Sequence, residues 1–151
     1  MDPTQPPPML VDLVAHRLAV ASSAVKVGKR TLLCAPNGLN GHEWTLLLLL
    51  KDLGPSGPNV LIQKGRMDKV TVSRTAQDLQ RQRLILRKPS PTDYRSHILE
   101  LTDQGLAMVQ SLVSPALDYE EALLHDWRPD EIEDFKRLLR KIESTALTVG
   151  A

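Results

Sequence analysis

One cysteine and five aromatic residues in a chain of 151 set the first limits. With Cys34 alone, no intramolecular disulfide framework is possible. Trp44, Trp127, Tyr94, Tyr119 and Phe135 are the whole aromatic complement. The core must therefore be built from Leu, Val, Ile and Ala, which suits packed helices. The longest purely apolar run is Leu46 to Leu50, far too short to span a bilayer. The first eight residues, Met1 to Pro8, are proline-rich with one acid and do not read as a signal peptide. A reducing cytoplasm and no membrane partner are the expectation. His16, His42, His97 and His125 are scattered without ligand spacing, so no metal and no cofactor are expected. No Ser-His-Asp pattern, glycine-rich phosphate loop or metal motif is visible, which argues against an enzyme.

Formal net charge is only +1, but its distribution is uneven. From Lys64 to Lys88 there are eight basic residues and two acidic ones. From Asp118 to Asp134 there are eight acidic residues against Arg128 alone. The first segment is the natural polyanion-facing surface. The competing interpretation is two solvated helix faces of opposite sign.

Residues 1–8 read as a disordered proline-rich arm, because proline blocks helix formation there. A first helix is expected from about Met9 to Lys29, on the spacing of Leu10, Leu13, Val14, Leu18, Ala21, Ala24 and Val25. Ala35-Pro36-Asn37-Gly38 breaks the pattern. Asn40 with Glu43 forms a capping-box signature before the helix of Trp44 and the leucine run. Gly54 to Pro58 makes a turn. A short helix follows to Lys64, with Gly65 as its terminator. Asp68 caps a basic helix to about Gln82. Leu84 to Lys88 reads as a strand, Pro89 to Asp93 as a turn, and Ser96 to Leu101 as the return strand. Thr102 caps a long helix to about Asp126, with a bend expected at Pro115. Pro129 opens the last helix, whose apolar face is Ile132, Phe135, Leu138, Leu139 and Ile142.

The order defines the fold class: mainly α with a small two- or three-stranded β-wing, a winged helix-turn-helix flanked by N- and C-terminal dimerisation helices. The divisions are 1–8 for the arm, 9–34 for an N-terminal dimerisation helix, 39–101 for the DNA-binding module, and 102–147 for C-terminal dimerisation helices. The apolar faces of the end helices exceed what the central module can cover, so a second subunit is expected.

A groove-reading helix needs small polar side chains near its start and long donors beside them. Thr71, Ser73, Thr75 and Gln77 supply the first, Lys69 and Arg74 the second. Val72, Ala76 and Leu79 share the core stripe, with Thr71, Arg74, Thr75 and Asp78 on the neighbouring side. The helix N-terminus itself favours a phosphate. On the wing, Arg87 and Lys88 add positive charge. Arg95 at the tip is suited to the negative potential of a narrow minor groove, with Asp93 orienting its guanidinium. The competing interpretation of that pair is an exposed ion pair of little worth.

These motifs resemble the MarR (multiple antibiotic resistance regulator) family. The resemblance rests on Glu43-Trp44-Thr45 leading into the leucine run, Gly54-Pro55, Met67 to Arg74, Leu84-Ile85 to Arg87, Asp93-Tyr94-Arg95, and Leu99 to Gly105. It spans about residues 10 to 147. It implies a bacterial, cytoplasmic, homodimeric winged-helix protein that binds a palindromic double-stranded DNA operator, usually as a repressor released by a small ligand. It also implies that the helix after Asp68 enters the major groove and Arg95 the minor groove. The chain departs from the family at Arg83, where glycine is frequent before the first wing strand. It departs again at Val60-Leu61-Ile62 in the short helix, and at Tyr94, where arginine is common.

The same resemblance implies an effector pocket between the dimerisation helices and the DNA-binding module. His16 and Arg17 are candidates for holding an aromatic carboxylate there, with Trp44 stacking beside it. The alternative is that Trp44 is core and His16 and Arg17 are surface or dimer contacts. Two other functions stay open: a thiol or peroxide sensor through Cys34, and a winged-helix module for protein contact without sequence-specific DNA binding.

Overall fold

A computed structural model describes residues 9–91 and 96–150. A 3-10 turn, Leu10–Asp12, leads into helix α1, Val14–Lys29. The helical path widens into a π-turn at Arg30–Cys34 and tightens into a 3-10 turn at Ala35–Asn37. It stops where Gly38 takes φ +68°, a conformation that glycine adopts at no steric cost. The Asn37 side-chain amide donates to the Leu33 carbonyl at 2.8 Å, satisfying one of the carbonyls freed at that end.

Helix α2, Gly41–Leu53, begins with the expected capping box. The Asn40 carboxamide oxygen accepts from the backbone of His42 and Glu43, and Glu43 accepts from the Asn40 backbone at 2.7 Å. Trp44, Leu46, Leu47 and Leu50 of this helix are buried. They form the centre of a core with Leu61, Val72, Leu79, Leu84, Leu99 and Leu112. Each such leucine contributes about 1.5–3 kcal/mol relative to an exposed one.

Helix α3, Pro58–Gly65, does not end where its glycine suggested. Gly65 stays helical, and Arg66 takes the left-handed cap at φ +50°. A Cβ at Gly65 would meet the terminal methyl of Met67 at 2.6 Å, which that flexible side chain can move aside, and Leu49 at 3.2 Å. Helix α4, Lys69–Arg81, follows within three residues and is capped by Asp68.

The end of α4 is a Schellman turn with an arginine in the left-handed position. The Leu84 N–H donates to Leu79 and the Arg83 N–H to Gln80, both at 3.0 Å. Arg83 has φ +61°. The departure from glycine noted in the sequence is thus absorbed as backbone strain, not as a different turn.

Strand β1, Ile85–Pro89, pairs antiparallel with β2, His97–Leu101, in the register Ile85 to Leu101 through Pro89 to His97. A third strand is reduced to one bridge, in which Ser56 and Leu99 exchange two backbone hydrogen bonds of 3.0 and 2.9 Å.

Helix α5, Asp103–Leu124, starts against the root of this wing. Thr102 donates its backbone N–H to Leu84 (3.1 Å) and its hydroxyl to Arg83 (2.7 Å). The same hydroxyl oxygen accepts the Gly105 N–H at 2.9 Å.

The chain divides into two units, residues 1–115 and 116–151, with the boundary at Pro115 inside α5. In the second unit, Pro129 opens helix α6, Pro129–Val149. Trp127 and Phe135 meet edge to face there, with ring centroids 5.2 Å apart. None of the residues of α1 or α6 is buried.

Candidate nucleic-acid interface

Helix α4 divides its side chains sharply. Val72, Thr75, Ala76 and Leu79 are buried. Lys69, Val70, Ser73, Arg74 and Gln77 are exposed. Four of the proposed DNA-contacting side chains, Lys69, Ser73, Arg74 and Gln77, therefore share the outward face. Thr75 does not join them. It is 5% exposed, because it lies three residues after Val72 and four before Leu79, within the packed stripe. That corrects its placement beside Thr71 and Arg74 and removes it from the accessible surface.

Thr71 is half-buried. Its backbone N–H and its hydroxyl both donate to Asp68, at 2.8 and 2.7 Å. These bonds, the hydroxyl's first, hold the Asp68 carboxyl below its ordinary range. The first turn of α4 thus already carries an anion of its own.

On β1, Arg87 and Lys88 are exposed. Lys88 Nζ lies 2.9 Å from Glu100 across the sheet, so part of its charge is answered within the wing. Asp93 and Arg95 fall outside the described residues. His97, near the tip end of β2, has its pKa lowered by desolvation and then by the Arg87 charge.

The far end of α4 is tied to the start of α2. Glu43 is buried, and while one of its oxygens closes the capping box, the other accepts from Gln82 Nε2 at 2.7 Å. Sequence spacing signals the box but not this link, which joins residues 39 positions apart.

None of the three candidate effector residues lines the cavity at the end of α1. Trp44 is 6% exposed and belongs to the core, which removes it as an open stacking surface. His16 and Arg17 are exposed on α1. That cavity, of about 600 Å³, lies between the end of α1, the first turns of α2 and the turn before α4. Lys26, Lys29, Arg30, His42 and Arg66 line it. Three cations within five residues at the end of α1 were the sequence signal for it, overshadowed by the larger basic segment further on.

Cys34 has no exposed surface. Burial pushes its thiol pKa up, Lys29 opposes this, and Glu43 adds to it. A sensing thiol needs access and a lowered pKa, and Cys34 has neither. Among the described residues, no helix is long and apolar enough to cross a membrane.

A short helix, a turn, a polar-faced helix and a two-stranded wing on one leucine-rich core define a winged helix-turn-helix. Comparison with known proteins makes this more specific. The MarR family model matches residues 37–96, from just before α2 through β1 to the residue before β2. The chain is 29% identical over 109 residues to the HTH-type transcriptional repressor NicR of Pseudomonas putida, covering 72% of this chain and 68% of that protein. It is 29% identical over 104 residues to the HTH-type transcriptional regulator YxaD of Bacillus subtilis, covering 69% and 73%. Among solved structures, a probable transcriptional regulator from Pseudomonas aeruginosa superposes with TM-score 0.80 at 25% identity, covering 89% of this chain and 99% of that one. The PcaV transcriptional regulator of Streptomyces coelicolor, solved with its natural ligand, superposes at 0.82 with 20% identity, covering 94% and 99%. Over residues 37–96 the chain is similar to the MarR family, and its relatives NicR and YxaD are HTH-type transcription regulators.

Proposed function

We propose that the protein is a homodimeric repressor that reads a palindromic operator and is released by a small effector. The observation that carries the DNA-reading part is the outward face of α4. Lys69, Ser73, Arg74 and Gln77 stand exposed on a helix whose opposite side is locked into the core. Such a helix presents long donors and short polar groups on a rigid support, as major-groove recognition requires. In this reading Arg95, oriented by Asp93, enters the minor groove, and Arg87 and Lys88 meet the phosphate backbone.

Dimerisation is supported by apolar side chains left at the surface of each unit. Leu10 is 78% exposed and Val14 68% in the first, and Phe135, Leu138 and Leu147 are exposed in the second. Exposed apolar surface of this kind is characteristic of an interface. Two copies would set their α4 helices about 34 Å apart, one turn of DNA. The effector part is supported by relatives in the fold: the structure of BpsR from Bordetella bronchiseptica, 23% identical, concerns regulation of its DNA binding by 6-hydroxynicotinic acid.

Arg74→Ala and Arg95→Ala test the reading. Each is expected to weaken operator binding by roughly 1–3 kcal/mol, with the dimer intact by sedimentation. The wild type should show steep salt dependence. Unaltered binding in both variants would refute the site, and absence of salt-dependent DNA affinity would leave a protein-contact module.

A further inference from the structure

The cavity at the end of α1 has a chemistry that an aromatic acid does not explain. Lys26, Lys29 and Arg30 sit at three- and four-residue spacing on one side of the helical path and line one wall. Arg66, fixed in its left-handed turn at φ +50°, lines another. His42 and Thr45 come from the first turns of α2. Among the described residues, no carboxylate and no Phe, Tyr or Trp lines the space. None of Lys26, Lys29 and Arg30 is paired with a carboxylate among those residues.

The charge count decides the ligand class. One carboxylate would answer only one of Lys26, Lys29 and Arg30 and leave the other two repelling each other. A phosphate monoester carries a charge of about −1.5 to −2 at neutral pH and three strong acceptor oxygens. Arginine engages phosphate through two parallel N–H bonds, while lysine acts as a point charge. About 600 Å³ lies within the range of small-molecule sites, so there is room for more than the phosphoryl group. Val27 and Met67, which also line the space, offer apolar surface to the remainder of the ligand.

The geometry points to this cavity as a binding site for a multiply charged phosphorylated small molecule, and so names the class of effector. Its link to DNA rests on the repressor reading; its ligand chemistry does not. The cavity abuts the first turn of α2, whose Glu43 holds Gln82 at the end of the reading helix. A ligand that draws Lys26 and Arg30 toward His42 and Arg66 acts on the two elements that set the position of α4.

The test uses the full chain without DNA. Pyrophosphate, ribose 5-phosphate and benzoate are titrated at constant ionic strength by calorimetry. The double variant Lys26→Ala/Arg30→Ala is compared with wild type, and both positions are exposed. The two phosphate probes are expected to bind at least about tenfold more tightly than benzoate. The variant should lose about tenfold or more of that affinity, while keeping its melting temperature and its operator affinity. Benzoate binding as well as the phosphates, or a variant that binds them as wild type does, overturns the proposal. So does absence of phosphate binding. A variant that loses operator affinity without having altered phosphate binding marks a DNA backbone clamp instead, and equally overturns it. Because binding is read without DNA, failure of the repressor reading and failure of this one are separate results.

Discussion

Replacing Gly105 with alanine would force the reading module and the long helix apart at their joint. A Cβ built there lies 1.9 Å from the Leu84 carbonyl oxygen and 2.9 Å from its carbon. Carbon and carbonyl oxygen ordinarily approach no closer than about 3.3 Å, so the backbone at Leu84 would have to retreat by about 1.4 Å. That oxygen also accepts the Thr102 N–H at 3.1 Å, and the neighbouring Arg83 carbonyl accepts the Thr102 hydroxyl at 2.7 Å. A retreat of this size breaks both. Two hydrogen bonds at about 0.5–1.5 kcal/mol each, with overpacking strain of about 1–3 kcal/mol, sum to about 4 kcal/mol. At roughly 2–4 °C per kcal/mol for a chain of this size, the melting temperature should fall by about 10 °C. Thermal unfolding at fixed protein concentration measures it. Gly41→Ala is the control, because a Cβ there meets nothing within 4 Å. A Gly105→Ala protein that melts within about 2 °C of wild type would show that the joint yields freely, and the reasoning would be wrong.

Arg83→Gly should act in the opposite direction. A left-handed non-glycine residue costs about 1–2 kcal/mol, and the added freedom of glycine in the unfolded chain takes back about 0.5–1, so a net gain of about 0.5–1 kcal/mol is expected. Urea unfolding checks it, and a loss of stability would mean that the arginine side chain makes a contact worth more than its strain. His97 should titrate below the ordinary value of 6.5, because desolvation and Arg87 both disfavour its charged form. The unfolded chain then binds the proton first, so this contribution is complete above pH 6.5 and is lost as pH falls toward the lowered value. An NMR titration that places His97 at or above 6.5 would contradict the assignment.

The parts of the fold legible in the sequence are those written in local chemistry. Asn40 with Glu43, Asp68 and Thr102 each mark a helix start, because the cap bonds to a backbone donor two or three residues away; Pro129 marks another, because its missing N–H costs nothing at the first helical position. The end of α3 was not legible. Glycine is the usual left-handed residue, but Gly65 stays helical and Arg66 takes the turn. Thr75 carries a hydroxyl yet lies inside, because its spacing from Val72 and Leu79 fits the packed stripe. The Glu43–Gln82 bond and the cationic cavity were beyond reach for another reason. They join segments distant in sequence: the packing of α2 against α4 makes the first, and the approach of the end of α1 to α2 and the turn before α4 makes the second.

Asp68 has one further consequence. The positive end of the α4 dipole commonly greets a nucleic-acid phosphate, yet here a carboxylate held in its ionised form occupies that seat. A duplex strand approaching along the helix axis meets like charge. In the proposed DNA-reading role the helix would settle side-on, and base discrimination would fall to the exposed flank that carries Ser73, Arg74 and Gln77.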